Sequence, residues 1–277
     1  MALLHLEQGV DMNKEKGGVK KYYETFGWQK TIKGIYNDAC LYEDQRKSNV
    51  FYSHLNLSIL RRYFKRKGVF FLDVGCGAKP CTAVAKDFNF HVCVDFTKAG
   101  LMEAKRRIVN GMFVMADLTN LPFKDSVFNG AVAMHVLYHL PRDCQANAVN
   151  ELARVTAKRS HCLIAYGNRE SFTTLLRFIP QRLRRLKGKN KEQTIRMPEK
   201  PLLYAHFFSL EYFKNLNSSG YKLKFRTAHL LGGSSRSIVP NGFAGYLVLS
   251  IVLFIERFFS GIVAKYSVHP AIIIEKD

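Results

Sequence analysis

Between Val69 and Tyr166, short apolar runs alternate with stretches whose apolar positions recur at helical spacing. "VFFLDVG" leads to a helical stretch from Pro80, "FHVCVD" to "TKAGLMEAKRRIVNG", and "FNGAVAMHV" to "RDCQANAVNELARVTA". "MFVMAD" runs into a loop, and "SHCLIAY" closes the series. Alternation at this spacing predicts βαβ units, hence an α/β fold with a parallel sheet and helices on both faces. The runs are nearly continuous in apolar residues, as strands covered on both sides must be.

Outside that block the pattern changes. "VKKYYETFGW" and "VFYSHLNLSILRRYFKRK" read as two helices, so residues 1–66 form a helical arm ahead of a domain at 67–277. The chain before Met12 reads as an unstructured lead. The domain carries a basic insertion at 167–206 and a hydrophobic helix within a second insertion at 232–268. "SLEYFKNLNSSGY" predicts a helix opened by Ser209 and closed by Gly220. "KLKFRTAHLL" and "PAIIIEK" predict two last strands, an antiparallel pair at one edge of the sheet.

The apolar run Phe243 to Ile255 is 13 residues, short of the ~20 needed to span a bilayer. It reads as a buried or amphipathic helix, with a place on a membrane surface as the alternative. No signal peptide opens the chain. The six cysteines show neither a C-x-x-C pair nor a disulfide framework, which suits reduced thiols in a cytoplasmic protein. No metal is expected. The balance of 42 Lys+Arg against 22 Asp+Glu, net +20, favours anionic partners: nucleic acid, phosphorylated molecules or an anionic membrane.

"LDVGCGAKP" carries the chemistry. Gly75 and Gly77 end a buried strand without Cβ atoms, so the backbone there can approach a ligand closely. Asp95 ends the next strand, where a carboxylate can accept both hydroxyls of a ribose. Asp117 follows the third strand, within reach of an adenine amino group. A dinucleotide fingerprint would need a third glycine and a free helix N-terminus for its pyrophosphate. Pro80 stands there instead and donates no N–H, so an adenosyl ligand without phosphate fits better; S-adenosylmethionine is one.

"LDVGCG", Asp95, "ADLTNLPF" and "VLYHLPRD", in that order, resemble the motifs of class I S-adenosylmethionine-dependent methyltransferases. The group that includes the ubiquinone/menaquinone-biosynthesis C-methyltransferases is the most similar. The resemblance implies a Rossmann-like, seven-stranded sheet with the last strand antiparallel. It also implies that Gly75, Cys76, Gly77 and Ala78 pass under the methionine and ribose, with Asp73 beneath. Asp95 would hold the ribose hydroxyls and Phe96 would flank the adenine. Asp117 and Leu118 would meet the adenine edge, with Met134 and His135 near the transferred methyl.

The segment "YYETFGWQKTIKGIYNDACLYEDQR" resembles an arm that covers the cofactor in some relatives, making Tyr22, Tyr23 and Trp28 candidates for walling the acceptor pocket. An oxygen or carbon acceptor needs a proton removed. His206 and His135 are the candidate bases, with His139 and His206 as acceptor contacts and Glu43 and Asp44 as further pocket candidates. The insertion Arg177 to Arg196 holds eight basic residues and one acid. Together with the apolar helix at 243–263 it suggests docking on an anionic membrane and a small-molecule or lipid-linked acceptor. Charge alone would favour an RNA acceptor, yet there is no Asn/Asp-Pro-Pro-Tyr motif and no appended RNA-binding domain. A catalytically silent partner protein is the remaining alternative, disfavoured by the intact glycine loop and Asp95.

Overall fold

In the computed structural model, which describes residues 12–43, 46–64, 67–172, 201–216, 220–232, 236 and 239–276, each apolar run becomes a strand. These are β1 (Gly68–Val74), β2 (Phe88–Asp95), β3 (Gly111–Met115), β4 (Phe128–Met134), β5 (Thr156–Ala165), β6 (Tyr221–His229) and β7 (His269–Lys276). They form one sheet in the order β3-β2-β1-β4-β5-β7-β6. The first five are mutually parallel, and β7 runs antiparallel to both its neighbours. The chain winds outward from β1 to β3, then restarts beside β1 at β4. That reversal opens a crevice at the carboxyl ends of β1 and β4, where open α/β sheets bind ligands.

The closing strands form an antiparallel pair at one edge of the sheet, as expected, with β6 outermost and β7 between β5 and β6. Pro270–Ile274 are buried, as in a strand covered on both faces. In β6 the exposed Lys222 and Lys224 suit the outer position, where a charged edge discourages pairing with other chains.

Helices cover both faces. On one, α6 (Gln145–Val155) lays Ala148, Val149 and Leu152 against Leu72, Val94 and Ile164. On the other, Leu60 of α3 (Lys47–Arg61) packs with Phe71, Val132 and Leu163. Ahead of α3 come α1 (Met12–Tyr22), a π-turn at Tyr23–Gly27, and α2 (Asn37–Tyr42). Six residues are too few to show a helical period, so α2 left no signal in the pattern.

Two helix expectations are corrected. No long helix starts at Pro80; only the single turn α4 (Thr82–Ala85) follows it. The helix expected from Ser209 to Gly220 is α7 (Leu210–Lys214), which stops at Asn215, and the Ser209 side chain makes no cap bond. Gly220, at φ +86°, instead turns the chain into β6. The lead before Met12, Asp44 and the basic stretch Arg177 to Arg196 lie outside the described residues.

The hydrophobic helix is α8 (Gly242–Phe258), followed by the turn α9 (Ser260–Val263). Its inner residues Leu249, Val252 and Leu253 pack with Tyr52 of α3. Gly245 lets the chain ahead of α8 fold against the helix, since a Cβ there would lie 2.0 Å from the Pro240 carbonyl oxygen. Among the described residues no single helix is long and apolar enough to cross a membrane. Joined to the next helical segment, α8 makes a pair bent by 99°.

Glu256 fastens this unit. Fully buried, it accepts hydrogen bonds from the Tyr52 hydroxyl, the Asn56 amide and the Leu230 N–H. Burial pushes its carboxyl above the ordinary range, and these donors only partly offset that. Glu256→Ala should strand three buried polar groups and cost about 3 kcal/mol in urea unfolding, against about 1 kcal/mol for Tyr52→Phe.

Candidate cofactor and acceptor site

The glycine loop follows β1 directly. Gly75 sits at φ +65° and Gly77 at φ +50°, a region that disfavours side chains. A Cβ on Gly75 would lie 2.6 Å from Val136 Cγ2, and one on Gly77 would lie 2.2 Å from Trp28 Cζ2. The loop is therefore a bare backbone cradle at the carboxyl edge of the sheet.

Asp95 holds the cradle in place. Only 6% exposed, it accepts hydrogen bonds from Gly77 N at 2.8 Å, Thr97 N at 2.8 Å and Thr97 Oγ1 at 2.6 Å. Burial pushes its carboxyl up, and the Thr97 and Gly77 donors counter that. A carboxylate offers about four acceptor positions, so one remains for a sugar hydroxyl. Asp73 lies beneath as expected: it accepts from Cys81 N at 2.6 Å and faces His91 Nε2 at 3.1 Å. The three acids thus also anchor backbone, which their sequence positions did not reveal. Asp117 accepts from Thr119 N and Oγ1, both at 2.8 Å, and pairs with Lys16 of α1 at 2.6 Å. Burial opposes its ionisation, but Lys16 and Thr119 outweigh that and hold the carboxyl below its usual range.

Other expected contacts divide. Phe96 is half-buried beside Asp95, where it can flank a ring. Leu118 is sunk in the core with Val92 and Val94, so only its backbone can face an adenine. Met134 packs against the cluster of Leu60, Phe71 and Val132, which removes its side chain from the methyl position. Cys76 is buried, and its thiol bonds Cys93. Ala78, fully buried, packs with Tyr36 and Trp28 of the arm. Asp73, His91 and Cys93 offer O, N and S atoms within 4.8 Å of one another, a set that could hold a metal where none was expected. Within this set His91 Nε2 faces Asp73 Oδ2 at 3.1 Å.

The arm lies over this edge. Gly27 lets the Tyr23 ring fold back, since a Cβ there would meet Tyr23 Cδ1 at 2.7 Å. Tyr23 stacks on Trp28 with centroids 5.0 Å apart and meets His139 edge-on at 6.0 Å. Trp28 rests on both Gly77 and Gly100. Tyr22 is instead fully buried, its hydroxyl on Asp38, and belongs to the arm's own packing rather than to a pocket wall. Glu43 pairs with Lys79 at the surface.

Of the histidines, His139 faces the Tyr204 carbonyl through Nδ1 at 2.8 Å, a structural bond. The His206 ring stacks edge-on against Phe208, and no hydrogen bond or ring contact among the described residues links it to His135. His135 lies just beyond β4 at φ +60°, a strained conformation for a non-glycine residue. Its neighbours are His229, at the end of β6, and His269, at the start of β7. Centroid distances are 4.5 Å from His135 to His269, 6.1 Å from His135 to His229 and 5.9 Å from His229 to His269. Nδ1 of His135, Nδ1 of His229 and Nε of Arg236 are buried without a hydrogen-bond partner. Arg236 lies over the Tyr52 ring, itself 6.0 Å from His229. Burial first, then neighbouring cations, lower the His135 pKa to about 4, and the same causes depress His229 and His269. Buried, unpaired polar atoms are costly, and two of them, Nδ1 of His135 and of His229, belong to one ring cluster, which makes that cluster a candidate ligand site.

The sequence reading missed His229, His269 and Arg236. Isolated histidines at strand ends far apart in the chain carry no spacing signal, and only the antiparallel return of β7 sets His269 beside His229.

Residues 72–164 match the family described as a methyltransferase domain. About a third of the chain is therefore similar to a methyltransferase domain. The matched span runs from β1 to the end of β5 and contains the cradle, Asp95, Asp117 and His135. The bare glycine cradle and the spare acceptor position of Asp95 fit the cofactor. A curated relative, the uncharacterised protein MJ0638 of Methanocaldococcus jannaschii, is 26% identical over 113 residues, covering 41% of this chain and 47% of the relative. The chain thus spans about half the length of the curated relative it matches. Among solved structures, the [4+2]-cyclase SpnF superposes with a TM-score of 0.50 at 16% identity, covering 96% of this chain and 91% of SpnF. A methyltransferase of Thermotoga maritima gives a TM-score of 0.49 at 19% identity, over 82% and 92% of the two chains. The likeness to SpnF establishes the fold.

Two outcomes are expected for the methyltransferase domain. Gly77→Ala adds a Cβ against Trp28 at a strained φ, and should weaken S-adenosylmethionine binding at least about tenfold in calorimetry. Because the folded-state pKa values of His135, His229 and His269 lie below those of the unfolded chain, their contribution is full above pH ~6.5 and is lost as pH falls toward ~4. The thermal midpoint should therefore fall between pH 7.5 and pH 5, and His229→Gln should shrink that fall.

Proposed function

We propose that the protein transfers a methyl group from S-adenosylmethionine to a small, lipid-like acceptor bearing an acidic oxygen, held among His135, His229, His269 and Arg236. The observation that carries this reading is a ring cluster beside the glycine cradle in which Nδ1 of His135 and of His229 are buried and unpartnered, with Arg236, its Nε also unpartnered, stacked on the adjoining Tyr52. Val136, the residue after His135, touches Gly75, so the histidines stand at the cofactor's door.

When bound, S-adenosylmethionine supplies a methyl group activated by a sulfonium, which becomes a neutral thioether as its carbon–sulfur bond breaks. The chain's own residues do the rest. Arg236 sets a cation opposite the acceptor's oxygen and favours its ionised form. A neutral imidazole at His135 or His229 can take up the proton that oxygen gives up. Tyr23 and Trp28 roof the edge and limit water, so that two reactants are aligned, an effect worth ~7–11 kcal/mol in favourable cases. The likeness to quinone-biosynthesis C-methyltransferases makes a quinone precursor one member of this acceptor class. SpnF, named as a cyclase, carries the same fold, so the reaction has to be read from the site rather than the sheet.

Two measurements test the proposal. Asp95→Ala should weaken S-adenosylmethionine binding by roughly 1–3 kcal/mol in calorimetry. Tritiated-methyl transfer from S-adenosylmethionine into cell extract, divided into lipid, small-acid, RNA and protein fractions, should label lipid or small acids. Arg236→Gln should cut that labelling while leaving cofactor affinity intact. Labelling confined to RNA or protein, or full labelling by Arg236→Gln, would overturn the acceptor assignment.

A further inference from the structure

A helix with one buried face normally turns charged residues outward. α8 does not. Phe243, Leu247, Ile251, Phe254 and Phe258 follow one another at spacings of three or four residues, and each is more than half exposed. Past the bend, Phe259 and Ile262 extend the ridge at 46% and 73% exposure. The one carboxylate of α8, Glu256, points inward and is fully buried. Contiguous apolar surface of this extent marks an interaction site.

At the C-terminal end of the ridge lies a pocket of about 410 Å³ lined by Arg62, Arg226, Arg257, Tyr63, Ser260 and the ridge residues Phe258, Phe259 and Ile262. It holds three guanidinium groups and no carboxylate. Arg62 donates to the carbonyls of Glu256 and Arg257, and Arg226 to that of Phe225. Among the described residues none of the three makes an ion pair. Guanidinium groups bind phosphate with matched geometry, and here they stand at the edge of an apolar ridge. The 99° bend after α8 sets the ridge and the turn beyond it in an L, so that the ridge continues around the corner.

We propose that this face docks the protein on an anionic phospholipid membrane, the ridge entering the acyl boundary and the arginine pocket taking a lipid phosphate. The inference goes beyond the acceptor reading and does not depend on it. Apolar burial and basic attraction to anionic lipid are the two terms that hold peripheral proteins at a bilayer, and both meet in this one surface. The net charge of +20 adds attraction at longer range. The inner side of α8, opposite the ridge, adjoins the histidine site: Glu256 accepts from the N–H of Leu230, the residue after His229.

The test is flotation of the full chain with phosphatidylcholine vesicles and with vesicles containing about one-third phosphatidylglycerol, at low and high salt. The protein should float with the anionic vesicles at low salt and far less with the neutral ones. Leu247→Asp with Phe254→Asp should lower the bound fraction at least tenfold. Arg226→Gln with Arg257→Gln should remove the preference for anionic lipid. Lys86→Gln with Lys105→Gln, the same change in charge elsewhere on the surface, should change little. S-adenosylmethionine binding by calorimetry should persist in all variants, which separates lost docking from lost folding. Absence of flotation at low salt, equal loss in the Lys86/Lys105 control, or a ridge that instead buries itself in a homodimer by light scattering would overturn the proposal.

Discussion

A single buried carboxylate, Asp95, fixes the geometry on which the ligand-binding edge depends. Its oxygens receive the Gly77 N–H from the loop after β1 and both donors of Thr97 at the start of the next helix. Two neighbouring βα units are thereby locked together at the crevice opened by the reversal of strand order. A charge held so deep is costly, and three hydrogen bonds offset that cost. Asp73 does the same one layer below, binding Cys81 N at the other end of the loop. The glycine cradle is thus held at both ends by acids, and its two glycines adopt left-handed backbone without strain.

Around this fixed edge the remaining parts differ in how completely they are satisfied. The arm closes on the cradle through Trp28 and reaches Asp117 through Lys16, using ring stacking and an ion pair. The histidine cluster is the opposite case: its rings touch one another, yet Nδ1 of His135 and of His229 find no hydrogen-bond partner. Native proteins rarely leave such atoms unpaired inside. Packing and polarity therefore separate a region completed by the chain itself from one completed by a ligand.

The far side of the same unit shows a second incompleteness, apolar rather than polar. Glu256 ties α8 to α3 and β6, fixing which face of the helix is inward. The outward face then has no choice but to present its phenylalanines. One buried carboxylate thus links the position of the exposed ridge to that of His229.

The sequence by itself determined the parallel sheet, the glycine cradle and the three acids at successive strand ends. These rest on local periodicity and on residues close together in the chain, where spacing maps directly onto geometry. It also indicated that β6 and β7 form an antiparallel pair at one edge of the sheet; which of the two is outermost was decided by the pairing of β7 with β5. The short helices α2 and α4 escaped because a few residues carry no period. Leu118, Met134 and Tyr22 were expected at the ligand, and packing turned their side chains into the core. His206 and His135 were the candidate bases, whereas tertiary structure groups His135 with His229 and His269, with Arg236 stacked on the adjoining Tyr52. The three grouped histidines come from separate elements and meet only through strand order and the antiparallel return of β7. Contacts of that kind have no signature in a single chain's spacing, because they are created by the sheet rather than by any segment of it.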